Sequence, residues 1–406
     1  MAHTAEEASR RRGGIPRGLS ATGPILFSYG FRPFFLGGAI WACAAMALWV
    51  AALTGHIGLA EDYGAFAWHA HEMLFGFASA VLAGFLLTAV PNWTGRLPVS
   101  GMPLLALFLL WCLGRAAMLA PALLGPSVSA AVDAAFLPTL LLICVREVVA
   151  GRKWADLKVV AGLGILSLAN IVFHVEVIIE GAPDFGPRFA VAAYIGLVMV
   201  VGGRILPSFT RNWLAKRGRT DFPTPYSRYD VVAIVVSVAA LIIWACAPIG
   251  VLTATAAGGA AALQFVRLYR WRGWTTAAEP IVMILHVAYL FVPLGFTAMA
   301  LAALGVMDVP SAMHVLTIGT VSTMMLAVMT RATRGHTGRE LTASWLTNMS
   351  YVAIVACACI RPITSVAPEH VDWIYPVAAL LWLAAFCLYL HEYAPMLMRR
   401  RRQPVQ

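Results

Sequence analysis

The chain has 406 residues, of which 60% are hydrophobic and only 12% charged, with a mean hydropathy of +0.79. Soluble globules carry roughly a quarter charged residues, so this composition excludes an ordinary water-soluble domain and predicts an all-α integral membrane protein. The net charge of +10 does not point to nucleic acid, because the basic residues are dispersed over short connections rather than gathered into a patch.

Residues 1–33 read as a cytoplasmic N-terminal segment. It is polar through Leu19, carries Arg10-Arg11-Arg12, and precedes an apolar run too long for the core of a secretory signal, so no cleaved signal peptide is expected. Phe31-Arg32-Pro33-Phe34-Phe35 leads into the first span with interfacial aromatics. Apolar length and Pro/Gly/charge punctuation then place spans at about 34–55, 68–90, 103–122, 127–149, 158–180, 188–210, 229–247, 248–268, 280–304, 311–331, 343–361 and 370–394. This predicts a bundle of about twelve transmembrane helices forming one polytopic domain over 34–394, followed by a basic cytoplasmic tail, 395–406. The Pro- and Arg-rich connection from Arg211 to Arg228 divides the spans six and six and is a linker.

The charges orient the bundle. With a cytoplasmic N-terminus, all of the 29 Lys and Arg residues except Arg115, Arg188 and Arg361 fall on the inner side, as the positive-inside rule requires. Both termini are expected in the cytoplasm. Glu61, Asp62, Glu180, Asp184, Asp308, Glu369 and Asp372 lie at or near the outer ends. The seven cysteines form neither C-x-x-C nor C-x-x-C-H, so buried thiols acting as small hydrophobes are expected.

Two stretches share their punctuation. Counted from His71, Gly76, Ser79, Thr94, Gly95 and Arg96 fall at the offsets that Gly319, Ser322, Thr337, Gly338 and Arg339 keep from His314, where Gly335 and His336 precede the last three. Both runs descend from the outer face and lie eight helices apart, which suits a unit of four helices used three times. The sixth span, as third descending member, keeps Tyr194, Gly196 and Arg204 but no histidine.

Ionisable groups at membrane depth are costly and normally face the bundle interior or a cavity. His69, His71 and His314 stand at the outer starts of the second and tenth spans, and His174 lies about 9 Å below the outer end of the fifth at 1.5 Å per residue. His286 belongs to the inner half of the ninth. Imidazole suits haem iron and copper alike, so His69, His71, His174, His286 and His314 are the candidate metal ligands. A helix separates His69 and His71 by about 200°, so they cannot readily serve one metal. His71, which aligns with His314, is expected to pair with it on a haem. His69, with Glu72 and Met73 on its own face, is better placed for a second metal or a proton route. The plainer alternative is interfacial capping for His69 and interhelical hydrogen bonding for His174 and His286.

Phe31-Arg32-Pro33-Phe34-Phe35, Trp68-His69-Ala70-His71-Glu72-Met73, Pro91-Asn92-Trp93-Thr94-Gly95-Arg96 and the run Arg331 to Arg339 with Gly335-His336 together resemble the NnrS family of bacterial integral membrane proteins, over essentially the full chain. The resemblance implies a haem b- and copper-containing inner-membrane protein of about twelve spans, associated with nitric oxide metabolism and resistance to nitrosative stress. Histidines on a second and a tenth helix are also similar to the low-spin haem site of haem-copper oxidases and nitric oxide reductases. This chain lacks a histidine on its sixth span and an adjacent His-His pair on its seventh, so their dinuclear centre is not implied.

The function expected is binding or reduction of nitric oxide or a related small ligand, or repair of its damage. Reduction of two NO to N₂O needs two electrons and two protons, hence an unidentified electron donor and a proton route, for which Glu72, His69 and Glu176 are candidates. A proton-coupled secondary transporter is the rival class, and a non-catalytic NO sensor or haem-assembly partner is the third. Membrane lipids surround the chain on any of these readings, and nucleic acid is not an expected partner.

Overall fold

A computed structural model describes residues 23–401. Arg10, Arg11, Arg12, Arg17 and Arg402 lie outside the described residues, as do most of the expected N-terminal segment and the end of the basic tail. Twelve helices are long and apolar enough to cross a membrane. They are α1 Phe31–Leu53, α2 Ala65–Thr94, α3 Met102–Leu119, α4 Pro126–Ala150, α5 Trp154–Glu180, α6 Phe185–Ala215, α7 Arg228–Cys246, α8 Val251–Arg270, α9 Pro280–Ala303, α10 Val309–His336, α11 Trp345–Ser365 and α12 Pro368–Met398. The expected count is met, and no strand occurs among the described residues.

Local chemistry explains where the helices start and stop. Proline occupies the first turn of α3, α4, α9 and α10, where its missing N–H costs nothing. Ser227 and Asp230 form a capping box at the head of α7, Asp308 accepts from the Ser311 N–H at the head of α10, and Ser344 accepts from the Thr347 N–H at the head of α11. Several helices outrun their expected ends, α2 and α10 among them. α2 continues past Pro91 to Thr94 and stops where Gly95 turns left-handed at φ 75°. α10 keeps Arg331, Arg334 and His336 in its last turns, where the helix dipole favours cations. Arg331 lies over the Phe209 ring, 4.0 Å from its centroid, and Arg334 is 3.3 Å from Glu392.

The connections after odd-numbered helices lie on one side of the bundle, called here the histidine side; the opposite face is the arginine side. α2, α10 and α9 are the inner helices, with 78%, 78% and 72% of their most apolar stretch buried against 39% in α1. α2, α6 and α10, four helices apart in chain order, touch one another near the centre of the bundle. α1 packs along α12 and closes the ring. Arg32 fastens that closure, its Nη1 donating to the carbonyls of Leu397 at 2.5 Å and Arg399 at 2.9 Å.

The matched runs share one more feature. α2 widens into a π-helix over Glu72–Ala78, directly after His71, and α10 does so over Val315–Ser322, directly after His314. A π-turn shifts the carbonyl register and marks functional sites often. In α2 the displaced carbonyls are taken by neighbours, with Tyr194 donating to Leu74 O at 2.7 Å, Trp111 donating to Gly76 O at 3.0 Å and Ser79 donating to Phe75 O. In α10 the helix satisfies itself, Ser322 and Thr323 donating five residues back to Thr317 O and Ile318 O.

All seven cysteines are free thiols. Contrary to expectation only Cys144 and Cys357 are buried; Cys246, Cys359 and Cys387 are exposed. The outside of this bundle faces lipid, which accepts a small apolar side chain as readily as the core does.

Candidate metal centre

The π-turn of α2 places His71 and Glu72 together on its inner surface, both fully buried. Gly76 makes the space, because a Cβ there would run into Arg115, Glu72 and Trp41. α4 contributes Asp133, and α5 contributes Asn170 and His174 four residues apart on one face. The ligand atoms of His71, Asp133 and His174 lie within 4.8 Å of one another, and all three residues are buried.

Both imidazoles turn Nε2 toward the same carboxylate oxygen. His71 Nε2 is 3.1 Å and His174 Nε2 3.0 Å from Asp133 Oδ2, to which Asn170 also donates at 2.9 Å. Both Nδ1 atoms are held from behind, His71 by Glu72 Oε1 at 2.9 Å and His174 by the Tyr63 hydroxyl at 2.9 Å. Arg115 bridges Glu72 and Asp133, and Trp41 donates to Glu72 Oε2 at 2.7 Å. Two carboxylates therefore share one guanidinium, which leaves this buried site one positive charge short. A cation held by the imidazoles and Asp133 would balance it, as would an imidazolium at His71.

The donor set suits a transition metal. Two imidazoles and one carboxylate match the nitrogen and oxygen preferences of copper and of iron. Outer partners on the second ring nitrogen, here Glu72 and Tyr63, fix tautomer and orientation as they do around metal-bound histidines.

The remaining predicted residues are elsewhere. His314 lies near His69, and the two interact electrostatically with each other and with Arg361. The His69 ring stacks on Trp49 at 4.5 Å, with a buried Nδ1 that has no partner. His314 Nδ1 donates to Pro310 O at 2.7 Å. The structure thus sets His71 beside His174, ring centroids 4.6 Å apart, and brings His314 within electrostatic range of His69. His286 is remote, with Nε2 2.7 Å from Thr210 Oγ1 and its ring against Gly273. Glu176 does not reach the cluster; its carboxylate accepts from the backbone N–H groups of Asp184, Phe185 and Gly186 and caps α6.

Asp133, Asn170, Tyr63 and Arg115 escaped the reading by histidines. Two carried a signal. Arg115 is one of three exceptions to the charge asymmetry, and Asp133 is an acid inside an apolar span, so the depth argument applied to histidines reaches both. The family model described as "NnrS protein" matches residues 25–401. No curated protein matches the chain.

Proposed function

The chain belongs to the NnrS family, and from that premise we propose a metal-dependent inner-membrane protein of the nitric oxide response in which His71, His174 and Asp133 hold copper. Family membership carries the nitric oxide role. The observation that supports the copper site is the double arrangement of its imidazoles, each with Nε2 toward Asp133 and Nδ1 held from behind. Bound copper supplies one-electron chemistry and an open position for a diatomic ligand.

The residues do the rest. Arg115 bridges Glu72 and Asp133, Glu72 orients the His71 ring, and Asn170 fixes the Asp133 oxygen that both imidazoles face. With Nε2 given to copper, the His71 Nδ1–H donates to Glu72, and Glu72 is the buried carboxylate beside the site through which a proton is delivered. Reduction of two NO to N₂O and water consumes two electrons and two protons, so turnover also requires an electron donor.

Haem b is assigned to His314 and His69. His314, whose Nδ1 donates to the Pro310 carbonyl and leaves Nε2 as the acceptor nitrogen, and His69, whose buried Nδ1 has no hydrogen-bond partner, would hold the haem, which would supply one-electron redox chemistry.

Metal and haem analysis of the purified protein tests both assignments. Copper is lost from Asp133→Asn and His174→Ala while haem is kept, and haem is lost from His314→Ala while copper is kept. Unchanged copper in both cluster variants would overturn the copper site. Turnover with an artificial electron donor distinguishes an enzyme from a sensor with the same centre.

A further inference from the structure

We propose that the junction of α2, α6 and α10 is a docking site, within the bilayer, for a small uncharged gas molecule. The nitric oxide reading names the gas, and the proposal rests on that reading for its identity alone. A cleft of about 80 Å³, half open at its mouth, lies where α2, α6 and α10 meet, with Val159 of α5 at its edge. Leu82 and Phe85 of α2, Tyr194 and Val198 of α6, and Val321 and Met325 of α10 line it.

Its chemistry selects the occupant. Tyr194 carries the one hydroxyl in the lining, and that hydroxyl is spent on Leu74 O at 2.7 Å. A buried water needs two to four polar partners, and these walls offer none. A dry apolar cavity instead takes up apolar gases and small hydrocarbons. Water occupies roughly 30 Å³ in the liquid, so the space holds one or two diatomic molecules, and an acyl chain entering through the open mouth is the competing occupant.

The position also links the cavity to the buried cluster. Leu74, which holds the Tyr194 hydroxyl, stands three residues beyond His71 in the π-turn of α2. The wall of the cavity and the cluster therefore share one structural element. A gas dissolved in the membrane interior reaches this junction without crossing a polar surface.

Xenon is the probe. Crystals of the full-length protein pressurised with xenon are expected to show a xenon peak between the three helices, and nitric oxide at saturating pressure displaces it. Val198→Phe and Val321→Met, two fillings on different helices, each remove the peak while thermal midpoint and copper content show the fold retained. No peak in the wild type, a peak that survives in a folded filled variant, or an ordered acyl chain in its place would overturn the docking site. Failure of nitric oxide to displace bound xenon would overturn the assignment of the gas. Asp133→Asn keeps the xenon peak, so loss of the metal reading is seen separately from loss of this one.

Discussion

α2 and α10 begin alike and are used differently. Each carries a histidine, then a π-turn, then a glycine five residues on, and each ends at a left-handed glycine, Gly95 at φ 75° and Gly338 at φ 73°. At Gly76 the missing side chain admits the heads of Arg115, Glu72 and Trp41; at Gly319 it admits the Phe291 ring. The π-turn of α2 is pinned by side chains of α3 and α6, while that of α10 is satisfied by its own Ser322 and Thr323. One backbone device thus serves a charged centre in one place and apolar packing in the other. The backbone prepares a site, and the neighbouring helices decide its chemistry.

The sharpest test of that contrast is the arginine beside each histidine. Arg115→Leu leaves Glu72 and Asp133 buried without their counterion, and removing one partner of a buried pair costs about 3–5 kcal/mol. Chemical denaturation in detergent should show it, together with loss of copper. Arg361 is held by Thr364 at 2.8 Å and by the Tyr375 ring at 4.5 Å, so Arg361→Leu should cost about 1 kcal/mol, the scale of a cation–π contact. Equal losses in the two variants would mean that the arginines play one role.

Next come the glycines. Gly76→Ala forces a methyl into a fixed polar network, and Gly319→Ala presses on a ring; overpacking of this kind costs about 1–3 kcal/mol. Copper content separates them, falling in Gly76→Ala and unchanged in Gly319→Ala. Smaller still is Tyr194→Phe, which deletes one hydrogen bond to the π-turn and should cost about 1 kcal/mol. Ser322→Ala should cost less, because the neighbouring Thr323 still holds its own carbonyl.

The smallest effect concerns the third descending helix, which has no histidine. α6 starts beside Asp184, whose carboxyl lies below its ordinary value chiefly because Arg188 donates to it, against a lesser opposing effect of burial. A depressed carboxyl contributes stability that is complete above its unfolded value, near pH 4, and is lost as pH falls through the folded one. Thermal midpoints measured from pH 5 downward should fall slightly less in Asp184→Asn than in the wild type. A steeper fall in that variant would reverse the sign.

Crossing number was legible because apolar run length and the uneven distribution of Lys and Arg constrain it independently. The register of the repeat was legible too, since the offsets from His71 and His314 to Gly76 and Gly319 mark the same π-turn. The partners were not. His71 meets Asp133 and Asn170 from α4 and α5, 62 and 99 residues away, and helix periodicity alone does not say which helices face each other. Glu176, two residues past His174, points instead to the head of the next helix. Two positions on a helix differ by about 200°, enough to turn a carboxylate from the centre to a cap.

The Arg32 clasp makes the first and last helices a seam. Arg32 finds its partners 365 and 367 residues further along the chain, so this closure forms only once the twelfth helix has been made. Chains cut before Leu397 should therefore lose stability in chemical denaturation, even though they contain every residue of the buried His71–Asp133–His174 cluster.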